Sequence, residues 1–402
     1  MQNWQRNLYV VWVAELLALS GFNVVFPFLP YYIQDLGVTS LEEAEMWSGI
    51  LFASHAVLMG IFAPIWGSLA DLYGRKLMVE RAMFGGAVLM AAMGFVRNVP
   101  QLLILRALQG CVTGTVAAAT ALVASGTPRE RAGYALGLLQ TAVYGGASVG
   151  PLLGGFMADA LGYRPAFWVT SALLLVGGLL VLFLVKEPSG PPIQKRGAKS
   201  RGAWQGMVLI VRSRALLTIF SVRVIMRLGV RIIGPVLPLF VQTLLPAGAP
   251  LASVSGLVSG VGSMASAIAA VVLGWFGGRL GYRRVLLACA VGATLFYAPQ
   301  FFVTTPMQLL VLQAGAGLAM GGTLSAVSAM LASMSPQGRQ GAVYGLDSSA
   351  VSAANAMGPM LGAFLAASLG LRYAFLCAAG TCSLAALGVL VLVPSRVQSD
   401  PT

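Results

Sequence analysis

Long apolar runs alternate with short polar breaks along the chain. Cutting at charged, Pro-rich and Gly-rich breaks predicts twelve apolar segments, near 8–34, 46–70, 77–96, 100–125, 131–160, 164–186, 215–244, 252–277, 284–303, 306–333, 340–368 and 372–393. Each approaches the roughly 20 residues that a helix needs to cross a hydrocarbon core. Residues 232–278 and 285–338, 47 and 54 positions long, contain no Asp, Glu, Lys or Arg, so each leaves room for two spans. Backbone polar groups find no water inside lipid, and spanning segments must be helices or a closed barrel. The runs lack the period-two alternation of barrel strands, which leaves helices. The expected fold is an all-α membrane protein of twelve helices in two six-helix bundles. The first run passes from Leu8 to Pro30 without a cleavage-like A-x-A and reads as a retained span rather than a secretory signal.

Composition agrees with this reading and removes other classes. Of 402 residues 58% are hydrophobic and 9% charged, with a mean hydropathy of +0.84, whereas soluble domains carry about a quarter charged residues. A net charge of +13 on a soluble domain would point to nucleic acid. Here topology explains it. With the N-terminus cytoplasmic, 18 of the 25 Lys and Arg fall on the cytoplasmic side, 3 outside (Arg97, Arg164, Arg372) and 4 inside spans. That is the positive-inside rule, which places both termini in the cytoplasm. An acidic outer loop, Asp35 with Glu42, Glu43 and Glu45, completes the asymmetry. Cys111, Cys289, Cys377 and Cys382 lie in apolar stretches with no C-x-x-C pair, so neither a disulfide framework nor a metal site is expected.

The polar stretch that begins at Glu187 is rich in Pro, Gly and basic residues and reads as a cytoplasmic linker, residues 187–214, joining halves 1–186 and 215–402. The halves repeat at an offset of 207–208. Pro27 and Pro30 match Pro235 and Pro238, Gly67 and Gly74 match Gly274 and Gly281, and Gly133 and Gly137 match Gly341 and Gly345. Gly150-Pro151 matches Gly358-Pro359, and Arg164 and Phe167 match Arg372 and Phe375. Six spans per half make the repeat parallel, and transporters of that kind bind substrate at the repeat interface and rock around it.

Specific motifs then carry a family resemblance. Gly67-Ser-Leu-Ala-Asp71-Leu-Tyr-Gly74-Arg75-Lys76 resembles the signature loop of the major facilitator superfamily, with a degraded copy from Gly274 to Arg284 in which Gly278 replaces the acid. Leu105-Arg106-Ala-Leu-Gln109-Gly110 resembles the superfamily's intramembrane arginine motif, and Gly146-Ala-Ser-Val-Gly150-Pro151-Leu-Leu-Gly154-Gly155 its antiporter motif. The whole pattern is similar to twelve-span drug:proton antiporters and most resembles multidrug efflux proteins of the MdtG type. The resemblance implies proton-driven export of small amphiphilic molecules across the cytoplasmic membrane, with no cofactor besides the proton gradient; a monomer is the separate expectation for its assembly. It also implies a proton-coupling role for Arg106, and a gating role for Gly67, Asp71, Gly74, Arg75 and Lys76. In that role Asp71 latches onto the helix N-terminus near Gly341.

Charges inside spans are costly and usually functional. Glu15 lies about 10 Å below the start of its span, and two roles stay open for it: a carboxyl that exchanges a proton for substrate, or the fixed partner of an Arg. Arg223 is its counterpart under the offset. Arg223, Arg227 and Arg231 follow at i, i+4 and i+8 and share a helix face, which fits ion pairs on a hydrated wall or recognition of an anion. Asn23 and Gln313, the counterpart of Arg106, complete the expected cavity. Asp347 is expected to pair with an Arg of the seventh span, and His55, the only histidine, is either a packing residue or a pH-sensitive one.

An enzyme reading fails. Gly146-Ala-Ser148-Val-Gly150 fits G-x-S-x-G only in the middle of a span, far from the strand-to-helix elbow that motif requires. No phosphate loop suggests ATP as the energy source. Alternatives to a proton-coupled drug exporter are a facilitator or exporter of one metabolite or lipid and, more remotely, a membrane sensor.

Overall fold

The computed structural model describes residues 3–187, 214–334 and 340–392; within them the side chains of a few, including Asp71, Arg279 and 340–346, are not described. Most of the linker lies outside the described residues. The regular structure is helical: α1 (Asn3–Val24), α2 (Leu29–Asp35), α3 (Leu41–Tyr73), α4 (Arg75–Met93), α5 (Val99–Val112), α6 (Thr115–Gly126), α7 (Ala132–Leu161) and α8 (Tyr163–Leu184) precede the linker. After it come α9 (Arg214–Leu244), α10 (Leu251–Leu280), α11 (Tyr282–Tyr297), α12 (Pro306–Gly321), α13 (Thr323–Met334), α14 (Gln340–Leu369) and α15 (Leu371–Leu392). Ten segments of these helices are long and apolar enough to cross a bilayer. The third and fifth expected spans are the helices α4 and α7, but they are not among the ten. For α4 the reason lies in its first two turns, which carry Arg75, Lys76, Glu80 and Arg81.

Contacts divide the chain into two compact units, Met1–Gln194 with Val241–Gly260, and Lys195–Phe240 with Val261–Thr402. Helix starts follow local chemistry. The Ser40 hydroxyl accepts the Glu43 N–H (3.0 Å) and the Asn98 side-chain Oδ1 the Gln101 N–H (3.0 Å), while Thr305 and Gln308 form a reciprocal capping box. Single glycines at positive φ, Gly74 (100°) and Gly162 (91°), turn α3 into α4 and α7 into α8; Gly281 (84°) and Gly370 (105°) do the same one offset later. Large apolar side chains such as Phe156, Phe183, Phe302 and Val391 are strongly exposed, as expected of surfaces that face hydrocarbon.

Three expected spans are interrupted. The first breaks at Val25–Phe28, where Pro27 supplies no N–H, and α2 resumes with Pro30 in its first turn. The fourth breaks between α5 and α6, where Thr113 is extended (ψ −177°) and Gly114 takes φ 126°, a region that disfavours any side chain. The tenth breaks at Gly322, the same position one offset later. Glu45, expected in the outer loop, belongs instead to the second turn of α3 and is buried (3% exposed), because the helix starts at Ser40 rather than after the acidic cluster.

Candidate functional site

The first unit positions Glu15 halfway along α1, which packs against α6, α7 and α8. The antiporter glycines explain how close that packing is. Gly146 lies against Leu19 and Ser20, Gly150 against Ser20 and Asn23, and Gly154 against the Val24 carbonyl, so a Cβ at any of them would collide with α1. Trp12 donates its indole N–H to the Thr141 hydroxyl (2.9 Å), fixing the same seam one turn before Glu15. Glu15 itself is 0% exposed, neither carboxylate oxygen has a hydrogen-bond partner, and no described Lys or Arg forms an ion pair with it. The side chain of Thr115, the first residue of α6, lies beside it. Asn23 turns to its own helix, donating to the Leu19 carbonyl (2.7 Å).

Arg106 is buried in α5, donates to Gln109 Oε1 (2.9 Å) and stands 5.9 Å from the Phe52 ring of α3. Glu15 and Arg106 therefore occupy the same unit without pairing. The main chain of His55 lies against Gly110, four residues on from Arg106. At the signature loop, the Arg75 and Lys76 N–H groups donate to Glu187 Oε1 (2.7 and 3.4 Å), Arg75 Nη1 to the Ala121 carbonyl (2.8 Å) and Lys76 Nζ to that of Leu182 (2.8 Å). The loop is thus tied to α6 and to the end of α8. Gly74 leaves room for Glu187, Gly67 has open space around it, and the Asp71 and Gly341 contacts expected of a latch lie outside the described residues.

The far end of the same unit holds contacts that the sequence did not reveal. Asp159, in the last turn of α7, accepts the N–H groups of Ala252 (3.2 Å) and Ser253 (2.6 Å) and so caps α10 from another helix. Tyr31 bonds Ser255 (2.7 Å), and Gln34 bonds Gln242 (3.1 Å), the residue one offset away. Gly155 packs on the Ala252 carbonyl and Gly256 on that of Pro151. An acid closing one helix and Pro250 opening another was the available signal, but sequence spacing does not say that they meet.

The second unit gathers the arginine stripe of α9. Arg223 pairs with Asp347 of α14 at 2.8 Å, while Arg227 Nε (3.0 Å) and Arg231 Nε (2.8 Å) both donate to the side-chain oxygen of Asn355, two turns further along α14. Asp347 and Asn355 of α14 thus both face the guanidinium groups of the stripe. Gln313 accepts from Gln300 Nε2 (3.1 Å) and packs on Gly262. Among the described residues no cluster of three His, Cys, Asp or Glu could hold a metal.

Comparison with known proteins places this geometry. The model of the Major Facilitator Superfamily matches residues 11–245 and 219–402. The chain is 37% identical over 374 residues, 93% of its length and 91% of the relative's, to the multidrug resistance protein MdtG of Dickeya zeae (strain Ech586). It is 36% identical over 378 residues, 94% and 92% of the two chains, to the protein of the same name in Escherichia coli O17:K52:H18. Solved structures share the fold at low identity. The nucleoside transporter NupG superposes with a TM-score of 0.75 at 14% identity, over 98% of this chain and 99% of that one. A bacterial homologue of the human lysosomal transporter Spinster, inward-facing and occupied, gives 0.79 at 14%, over 98% of each chain. A motif-bearing helical scaffold with charges at membrane depth and family matches over both halves lead to one conclusion: this chain belongs to the major facilitator superfamily and is a multi-pass transporter of the cytoplasmic membrane, not an enzyme.

Proposed function

We propose that the protein is a twelve-span proton-coupled exporter of small amphiphilic molecules, with both termini cytoplasmic, working by alternating access, and that Glu15 is its coupling carboxyl. The observation that carries this reading is the burial of Glu15 without an ion-pair partner. A lone carboxylate in a low-dielectric site is costly as an ion, so its protonation depends on what approaches it and on whether water reaches it. A group of that kind can take a proton from one side of the membrane and yield it on the other as the protein changes state, which lets the proton gradient drive cargo through differential binding. Arg106, held by Gln109, is the second coupling residue. Export of drugs is supported by the names of the MdtG relatives, which align over nearly the whole chain. The arginine stripe favours cargo that carries an anionic group, for which guanidinium forks are suited donors.

The test is substrate-evoked proton movement in proteoliposomes with an internal pH dye, comparing wild type, Glu15→Gln and Arg106→Ala across anionic and cationic amphiphiles. Proton movement evoked by cargo and lost in Glu15→Gln is the expected result. Cargo transport that persists without proton movement, indifferent to Glu15→Gln, would make the protein a facilitator.

A further inference from the structure

The break in the fourth span is an unusual place to end a helix, and the residue facing it is Glu15. The first bond within α6 runs from the Ala118 N–H to the Gly114 carbonyl (3.2 Å), so the N–H groups of Thr115, Val116 and Ala117 precede it and have no acceptor inside the helix. A helix that begins in the middle of a membrane span brings those donors, and the positive end of its dipole, to membrane depth. Thr115 adds a hydroxyl at the first position, is itself buried (3% exposed), and its side chain lies beside the Glu15 carboxylate, neither of whose oxygens has a hydrogen-bond partner. The other half supplies a contrast. The break recurs at Gly322–Thr323, but the offset puts Arg223 where Glu15 would be, and a cation has no use for a helix N-terminus; Arg223 pairs with Asp347 instead.

We propose that Thr115 and the first turn of α6 form a positioning device for Glu15: they receive its carboxylate when the proton leaves, and thereby set the pH at which coupling operates. Gly114 is the joint that makes the device possible, since its φ of 126° lets α5 end and α6 begin within two residues. The proposal rests on the reading of Glu15 as the coupling carboxyl. Other groups around α1 are few. α6 carries no charged residue; α7 brings Tyr134, Tyr144 and Asp159, and α8 brings Tyr163 and Arg164. Asp159 is bonded to α10 and Arg164 to the Val96 carbonyl (3.3 Å), and neither pairs with Glu15. Tyr144 adjoins Gly145, which lies against Leu16, and is the titratable side chain of α7 at this depth.

The experiment is a pH profile of cargo-evoked proton movement for wild type, Thr115→Ala, Thr115→Val, Thr115→Ser, Tyr144→Phe and Glu15→Gln. Beside it runs an infrared titration of the carboxyl band that disappears in Glu15→Gln, which reports on Glu15 even where transport is weak. Removing a hydrogen-bond donor to the ionised form shifts the midpoint to higher pH, by about one unit for one lost bond to a charged group. Thr115→Ala and the isosteric Thr115→Val are expected to show that shift in both readouts, and Thr115→Ser to restore the wild-type midpoint. Superimposable titrations for wild type, Thr115→Ala and Thr115→Val would overturn the proposal, as would a shift produced by Tyr144→Phe alone. Proton movement that survives Glu15→Gln would instead overturn the coupling role on which the proposal stands.

Discussion

In the N-terminal half Arg164 of α8 reaches the Val96 carbonyl at 3.3 Å; in the C-terminal half its counterpart Arg372 reaches the Phe301 carbonyl at 2.7 Å. Tyr32 packs on Phe167 with ring centroids 5.1 Å apart, and Phe240 packs on Phe375 at 4.9 Å. At the depth of Glu15 the likeness ends. One half places a carboxyl without a hydrogen-bond partner on its first helix, and the other places three arginines that Asp347 and Asn355 face. Packing positions therefore keep the repeat, while the offset-related charged positions have diverged into two chemistries: a carboxyl that can change its charge, and guanidinium groups that cannot.

That contrast can be broken at several points. The largest effect is expected from Glu15→Gln, which removes the carboxyl of the first helix and should bring cargo-evoked proton movement down to the level of empty liposomes; retained movement would place coupling elsewhere. Next, Arg223→Ala strands Asp347 inside the second unit and is expected to cost about 3 kcal/mol. Thermal unfolding in detergent would show it, and Arg223→Met with Asp347→Leu should recover most of the loss. If both variants melt like wild type, the pair contributes nothing. Gly154→Ala presses a methyl on the Val24 carbonyl and should cost about 1–3 kcal/mol in the same assay. Unchanged melting would mean that α1 and α7 can part freely. The smallest effect belongs to Asn355→Ala. It removes the acceptor that Arg227 and Arg231 share and should change the KM for anionic cargo by about fivefold, about 1 kcal/mol, while sparing cationic cargo. Equal changes for both would remove the arginines from recognition.

Much of this arrangement was legible in the sequence. Apolar runs mark the helices, the constant offset marks the repeat, and the place of Asp347 early in the eleventh span points to an arginine of the seventh, where Arg223 stands 2.8 Å away. What stayed hidden depends on geometry between distant segments. Pro27 and Pro30 match Pro235 and Pro238, yet Pro27 sits in a break and Pro30 just after it, while the second pair lies inside the continuous α9. Hydropathy averages over the interruption at Gly114, so the fourth span looked whole, and nothing in the spacing revealed that Thr115 would face Glu15. Glu187 reads as the first residue of a linker, but its carboxylate belongs to the start of α4. Asn355 carries no charge and drew no notice beside the arginines it orients.

Asp159 has a consequence for how the chain is made. Its carboxylate completes the start of α10, and the Ser253 N–H that it holds is synthesised 94 residues later. The segment 241–260 is grouped with the first unit, so that unit is unfinished when α8 leaves the ribosome. Membrane insertion would then pass through a stage at which eight helices wait for the ninth and tenth before the first unit can close, and a nascent chain released at the linker should remain open to proteases at the end where Asp159 stands.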